Sequence, residues 1–422
     1  MSRMNIQDSI GFLPLAEQCA IQAERLREHV RYCRERSPYY RGVPEAFSAI
    51  RATDKRTFAE RNQAFLAVPR TEIADIVLSS GTTGAPTPVM YTASDLTRLA
   101  EQEARAFVSC GITPEDTALL TCTMDRCFVA GFAYGTGLQR LGAAVARNGI
   151  SPLESHAAVM RMLAPTVIVG VPVFLRLLGR FLDGNADARR VRRLVCIGEP
   201  LRDERMEPLP LARDLLSLFP NASAHSTYAS SEGVTPFCEC EACCGGHVQM
   251  DAVVLEIVDA EGCPVPDGET GEVVVTPLGV RGMPLLRFRT GDVSFIIPEP
   301  CRCGRQNPRL GPILGRRNQM MKLNGTSLYP AALFNALDQI PGIAQSYITV
   351  TSEDRLSDAV RVTAAVLDAS LTADEICRRL QASLRVRPQV VIESEEAVNA
   401  VVYTKASRKP VRFVDRRGEA VQ

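Results

Sequence analysis

The chain has 422 residues, of which 46% are hydrophobic and 23% charged. Lys plus Arg (48) equals Asp plus Glu (48), so the formal net charge is zero and there is no electrostatic footprint for nucleic acid or an anionic membrane. No apolar run reaches the roughly 20 residues that span a bilayer, and the length exceeds what one ordinary small core accommodates, so a large domain plus a smaller one is expected.

The N-terminus sets Asp8 and Glu17 around a short apolar patch, unlike an export signal, so the chain reads as cytoplasmic. Its 14 cysteines then read as reduced thiols or metal ligands, not as a disulfide framework. From Pro14 to about Arg36, apolar residues recur at helical spacing (Leu15, Cys19, Ile21, Leu26, Val30), and the pattern stops at the turn "SPYYRG". "LAVPRTEIADIVLSS" runs as a strand-like approach into a loop of glycines and hydroxyls, Ser79 to Gly84. A helix is predicted over Ser94–Cys110 and a strand over Asp116–Thr123. "PTVIVG" (Pro165–Gly170) is a β-branched strand followed by Pro172 and an apolar helix, "VFLRLLGRFL". "RRLVCIGEP" repeats the sequence of strand and glycine turn. This alternation predicts an α/β domain with a parallel sheet.

The character changes after Glu232. "DAVVLEIVDAEGCPVPDGETGEVVVTPL" reads as an antiparallel hairpin, and a turn-rich piece follows to about Arg316. Beyond it, "SLYPAALFNALDQIPG", "AQSYITVTS", "RVTAAVLDAS", "TADEICRRLQASL" and "QVVIES" read helix, strand, strand, helix, strand, a small α+β domain. The predicted division is residues 1–315 and 316–422.

A turn of Gly, Ser and Thr brings backbone N–H groups and hydroxyls close to a polyanion without side-chain bulk. Phosphate is the usual such anion, but no Gly-Lys-Ser/Thr closes this loop, so it is not a Walker A motif. Alone, it equally fits a plain connection. It is accompanied in order by "TYASSEG" (Thr227–Gly233), "LLRFRTGD" (Leu285–Asp292), "GRRNQMMKLNGTSLYP" (Gly315–Pro330) and "TKASRKPVRFVDRR" (Thr404–Arg417). This ordered set resembles the adenylate-forming superfamily of acyl-CoA synthetases. "SPYYRG", "SSGTTG", "IGEP", "GMPLLRFRTGD" and "GRR…GTSLYP" resemble the phenylacetate–CoA ligase family within it.

The resemblance implies a large N-terminal ATP- and acid-binding domain with layered sheets and helices, and a small α+β C-terminal lid. It implies a reaction joining a carboxylate to ATP as an acyl-adenylate, then replacing AMP by a thiol, with CoA as co-substrate. Ser79, Ser80, Gly81, Thr82, Thr83 and Gly84 match the phosphate loop, with Ala85 where the family usually has lysine. Glu232 matches a carboxylate that takes Mg²⁺, and Tyr228, with Ala229 and Ser230 after it, the aromatic beside adenine. Gly198, Glu199 and Pro200 match a backbone segment lining the adenine pocket. Asp292 matches the acceptor of the ribose hydroxyls, and Arg316 a contact to ribose or phosphate. Lys409 matches the mobile catalytic cation, with Lys405 as its rival. Asn318 and Gln319 stand where the family's hinge usually has Asp, and the pivot is expected at Arg317–Asn318.

By family analogy the acid is small and aryl or otherwise hydrophobic, with a pocket wall including Val129–Gly135, Gly170–Pro172 and Ala229. Two alternatives stay open: an acyl-adenylating enzyme that loads a separate carrier protein, and a non-catalytic nucleotide-binding relative. A homodimer is a further expectation; nucleic-acid and membrane partners are not expected. Finally, "CECEACCGGHVQMD" and "PCRCGR" concentrate thiols and an imidazole in polar, glycine-rich surroundings. That density suits a structural, tetrahedral Zn²⁺ held by Cys240, His247, Cys301 and Cys303, with Cys244 and Cys238 as rival ligands.

Overall fold

The computed structural model describes residues 10–79, 86–323, 326–352, 358–368, 370–403 and 411–417. It divides into two compact units, Met1–Ile313 and Leu314–Gln422.

The first unit opens with α1 (Leu15–Arg36). That helix ends at Ser37, which is extended because Pro38 disfavours helical geometry in the residue before it. A short strand β1 (Thr53–Asp54) leads into α2 (Lys55–Glu60), where the Asp54 carboxylate accepts the Thr57 N–H at 2.8 Å. β2 (Ile73–Ser79) and β3 (Thr87–Thr92) form an antiparallel hairpin in which Ser79 lies opposite Thr87. β3 runs directly into α3 (Ala93–Ser109) through a capping box of Thr92 and Asp95. The Asp95 carboxylate also accepts the backbone N–H groups of Arg281 and Gly282, at 2.7 and 2.8 Å.

The alternation that follows is β4 (Thr117–Leu120), α4 (Val129–Leu141), β5 (Ala144–Arg147), α5 (Leu153–Leu163), β6 (Val167–Gly170), α6 (Pro172–Leu182), α7 (Ala186–Arg190), β7 (Arg193–Ile197), α8 (Pro210–Leu218) and β8 (Ser223–Tyr228). The strand predicted over Asp116–Thr123 is thus shorter. Adjacent strands in the order β5-β4-β6-β7-β8 are all parallel. These strands read as continuous apolar runs because both faces are covered. Ala118, Leu120, Val167, Val169 and Val195 belong to the core with α3 and α4, whereas Leu119, Ile168, Leu194 and Cys196 belong to the core with α5, α6 and α8. The strand period of two makes that division.

The sheet continues antiparallel through β9 (Phe237–Glu239) and β10 (Gly246–His247). β11 (Val253–Val258) and β12 (Gly271–Pro277) form the expected antiparallel hairpin, and β13 (Phe288–Ser294) adds to it. β14 (Ile296–Ile297) and β15 (Arg309–Leu310) close the far edge of the large sheet beyond β10.

The second unit begins with β16 (Gly315–Arg316) and a 3-10 turn, Arg317–Gln319. β17 (Met321–Leu323) pairs with β18 (Thr326–Leu328). Then come α9 (Pro330–Asp338), β19 (Ile343–Ser352), β20 (Asp358–Val366), α10 (Ala373–Leu384), β21 (Gln389–Ile392), α11 (Glu395–Val402) and β22 (Phe413–Asp415). Its sheet has the order β21-β20-β19-β22. Both units are mixed α and β, as the residue patterns predict. Among the described residues, no helix is long and apolar enough to cross a membrane.

Candidate functional site

Parallel strands deliver their C-terminal ends to one edge of a sheet, where ligands of α/β domains bind. Here β7 delivers Gly198, Glu199 and Pro200, and β8 delivers Tyr228, Ala229 and Ser230. Gly198 sits at φ +77°, in the left-handed region that favours glycine, which turns the chain sharply off the strand. The Glu199 carboxylate accepts the Val173 N–H at 3.2 Å, at the N-terminus of α6, where the helix dipole favours negative charge. The segment Gly170–Pro172 joins β6 to α6 at this edge.

Tyr228 links the large sheet to the sheet of β11, β12 and β13. Its hydroxyl donates to Asp292 Oδ2 at 2.8 Å, from the end of β8 to the middle of β13. The Asp292 N–H donates to Thr290 Oγ1 at 3.1 Å, which fixes the turn of the TGD segment. Burial, and then the neighbouring Asp292 carboxylate, push the Tyr228 phenol well above the ordinary range, so it stays a donor. Four residues after Tyr228, Glu232 is 5% exposed. Its turn is tight: Gly233 N–H donates to Ser230 Oγ at 3.0 Å and Val234 N–H to the Ser230 carbonyl at 3.2 Å. The Tyr91 hydroxyl donates to the Ser231 carbonyl at 2.6 Å.

Tyr228, Glu232 and Asp292 therefore lie in one region of the first unit; Ser79 is the last residue of β2. Ser80, Gly81, Thr82, Thr83, Gly84 and Ala85 lie outside the described residues, as do Lys405 and Lys409. Arg316 belongs to the second unit, on β16. Arg417 there donates to the carbonyls of Asn318 (2.8 Å) and Met320 (2.7 Å) and pairs with Asp415 and Asp358. The expected pivot segment thus rests on an arginine that sequence reading did not single out. The predicted pocket-wall segment Val129–Gly135 is the first half of α4, and Tyr134 within it is buried.

The ligand atoms of Cys240, His247, Cys301 and Cys303 all lie within 4.8 Å of one another. Cys240 Sγ is 3.5 Å from Cys301 Sγ, and Cys303 Sγ is 3.5 Å from His247 Nε2. A tetrahedron of sulfurs about 2.3 Å from zinc has edges of about 3.8 Å, so the four donors already sit near that size. The imidazole is oriented for the task. Asn307 Nδ2 donates to the Val248 carbonyl at 2.6 Å, leaving Oδ1 to accept from His247 Nδ1 at 3.0 Å. That tautomer presents Nε2 as the lone-pair donor. The hydrogen bond from Cys240 pulls the Cys303 thiol down to about 2, and the same bond raises Cys240. A divalent cation takes such sulfurs as thiolates. Cys238 lies instead 3.3 Å from Cys110 in the core, and Cys244 is absent from the cluster. Asn307 and Tyr91 had no sequence signal, because their partners lie 60 and 140 residues away.

Known proteins provide the remaining comparison. Residues 16–281 match the model of the family described as AMP-binding enzyme. The chain is 32% identical to a phenylacetate–coenzyme A ligase of Thermus thermophilus over 84% of its own length and 83% of that protein's. It is 27% identical to the enzyme of the same name from Escherichia coli, over 97% of each. Among solved structures, a 2-hydroxyisobutyryl-CoA ligase in the postadenylation state superposes with a TM-score of 0.81 at 21% identity, over 96% of this chain and 90% of that one. An O-succinylbenzoate coenzyme A synthetase from Bacillus subtilis, in complex with AMP, gives 0.62 at 17% identity, over 81% and 68%. The structural likeness shows the fold. The match over most of the chain shows the family: this protein belongs to the AMP-binding enzymes and, among them, to the phenylacetate–coenzyme A ligases.

Proposed function

We propose that this AMP-forming acyl-CoA ligase acts on a small aryl or hydrophobic carboxylic acid in two steps, with its own residues in the following roles. In the first, a carboxylate oxygen bonds to the α-phosphorus of ATP and pyrophosphate leaves. In the second, a thiol sulfur bonds to the acyl carbon and AMP leaves. Residues 1–315 bind ATP and acid, and residues 316–422 form the mobile lid.

One observation carries this reading: Tyr228, on β8, hydrogen-bonds Asp292, on β13 of another sheet, with Glu232 buried four residues after Tyr228. The phenol donor orients the Asp292 carboxylate, and a carboxylate acceptor makes strong hydrogen bonds to ribose hydroxyls. The Tyr228 ring supplies a flat face beside adenine, and Gly198–Pro200 line that pocket with backbone. Ser79 to Gly84 offer N–H groups and hydroxyls to the phosphates and steady the leaving pyrophosphate. Glu232 is the residue to hold Mg²⁺, a hard cation that takes carboxylate and phosphate oxygens and offsets phosphate charge. Arg316 contacts ribose or phosphate, and Lys409 neutralises the approaching carboxylate.

Zn²⁺ fits Cys240, His247, Cys301 and Cys303 by donor type and size. Four protein ligands leave no open position, so its part is structural: it ties the β9–β10 loop to the turn at Cys301–Cys303.

The test is acid-dependent exchange of labelled pyrophosphate into ATP over a panel of aryl and aliphatic acids, followed by CoA ester detection. Exchange with small aryl acids and CoA ester formation is the expected result. Exchange without CoA ester identifies a carrier protein as acceptor. ATP binding without exchange for any acid overturns the catalytic reading.

A further inference from the structure

Glu232 is followed by a backbone anomaly. Val234 has φ +48° and is 3% exposed. A β-branched residue in the left-handed region is strained, and such residues persist only where their surroundings over-determine them. The surroundings here include one guanidinium. Arg98 Nη1 donates to the Val234 carbonyl at 2.6 Å. Its Nη2 donates to Thr235 Oγ1 at 2.8 Å and to the Ala252 carbonyl at 2.6 Å, and its Nε to the Leu278 carbonyl at 2.7 Å. All four acceptors are neutral oxygens, so the cation serves as a clamp and not as half of an ion pair. Desolvation lowers the Arg98 pKa to about 10, which leaves it charged near neutral pH.

The other side of Glu232 is held as well. The Tyr91 hydroxyl donates to the Ser231 carbonyl at 2.6 Å, and Tyr91 is 1% exposed. Tyr91 and Arg98 belong to the continuous segment β3–α3, and β3 is the strand that leaves the Ser79–Gly84 loop. One piece of chain thus brackets Glu232 at Ser231 and at Val234.

Accepting Glu232 as the Mg²⁺ carboxylate, on which this step rests, we propose that Arg98 and Tyr91 are its positioning residues. They set the Glu232 turn in fixed register with the strand that follows the phosphate loop, and Arg98 holds Val234 in its strained conformation. The metal carboxylate is then held by two contacts from one continuous segment, which fixes where it meets Mg²⁺.

The experiment measures pyrophosphate exchange against Mg²⁺ concentration, with thermal unfolding alongside, for Arg98→Met, Val234→Gly, the double variant and Glu232→Gln. Arg98→Met is expected to raise the Mg²⁺ requirement and to lower kcat/KM for ATP on the order of 100-fold, as a displacement of about 1 Å does. Val234→Gly in that background, where the left-handed turn no longer needs holding, is expected to restore roughly tenfold. A purely structural arginine would lower the melting temperature, leave the Mg²⁺ response unmoved and show no rescue; that result overturns the proposal. A defective Glu232→Gln beside a normal Arg98→Met overturns it while leaving the role of Glu232 intact. An unaltered Mg²⁺ response in Glu232→Gln removes the reading beneath it and the proposal with it. If Arg98→Met does not fold, Tyr91→Phe decides: a rise in Mg²⁺ requirement of roughly 2- to 10-fold supports the bracket, and none overturns it.

Discussion

Replacing Cys303 by serine tests the proposed zinc at a ligand whose change barely alters side-chain volume. Cys303 Sγ and His247 Nε2 are 3.5 Å apart, close to the edge of a zinc tetrahedron, so binding requires little rearrangement. The metal would cross-link His247 on β10 to Cys301, closing a loop of about 54 residues. On a chain-entropy estimate, such a closure stabilises the fold by about 4 kcal/mol. That lies below the roughly 10–16 kcal/mol of zinc-finger peptides, whose folding depends wholly on the metal. Here β10 is held independently by its pairing with β9 and β15. In a unit the size of Met1–Ile313, a loss of about 4 kcal/mol corresponds to a fall in Tm of roughly 6 °C. Wild-type protein purified without added metal should contain about one zinc per chain by atomic emission. Cys303→Ser should contain far less and melt earlier, and a strong chelator should move the wild type toward the variant. Metal-free wild-type protein with an unchanged Tm in chelator would refute the assignment. So would a variant that kept both its zinc and its melting temperature.

Lys409→Ala should abolish acid-dependent pyrophosphate exchange and largely spare ATP binding by calorimetry; unchanged exchange would move the role to Lys405. Tyr228→Phe removes the 2.8 Å bond to Asp292 and should raise KM for ATP roughly tenfold, with KM for the acid unmoved, in steady-state kinetics. Glu103, on α3, is 2% exposed, and burial pushes its pKa up to about 8. The folded chain therefore keeps a proton that the unfolded chain releases above about pH 4.5, and stability falls as pH rises from there to about 8. Glu103→Gln should flatten that fall, by at most about 5 kcal/mol, in urea denaturation at pH 5 and 8.5. An identical pH slope in the variant would show that Glu103 does not carry it.

Much of the fold was legible wherever one residue pattern had one cause. The helix predicted over Ser94–Cys110 is α3 at Ala93–Ser109, because its stripe of Leu99, Ala106 and Phe107 faces the core. The parallel strands were readable because burial on both faces makes them uniformly apolar. α4 was not read as a helix, since Gly131, Gly135 and Gly137 lower its intrinsic propensity. Tertiary packing decides in its favour: a Cβ at residue 137 would fall 2.4 Å from Glu103 Cβ, so glycine lets α4 lie close against α3. α11 and β22 were missed because a short helix and a three-residue strand carry too little periodicity. That Cys240, His247, Cys301 and Cys303 come together was legible in the density of thiols and imidazole in two short stretches, although Cys238 of the first stretch enters the core. Their orienting partner Asn307 was not, and neither was Arg98. A hydrogen bond to a carbonyl across 136 residues leaves no trace in local composition.

The substitution at Ala85 bears on how charge is balanced around the triphosphate. The family usually places lysine directly after the glycine loop, and this chain has alanine. On the proposed reading its loop would offer phosphate only neutral donors, and compensation of the charge would fall more heavily on Mg²⁺ and on the lid cations. Restoring the cation by Ala85→Lys should then lower KM for ATP. An ion pair with solvent access is worth about 1 kcal/mol at most, or roughly fivefold. The effect should be largest at low free Mg²⁺ and low salt, and should shrink as either rises, because the ion and the lysine offset the same charge and salt screens both. Titrating ATP in the exchange assay at several Mg²⁺ concentrations and ionic strengths reads this directly. A KM that improved equally at all Mg²⁺ concentrations would mean that the two cations act on separate parts of the nucleotide. A KM that did not move would mean that this loop never depended on a cation at that position.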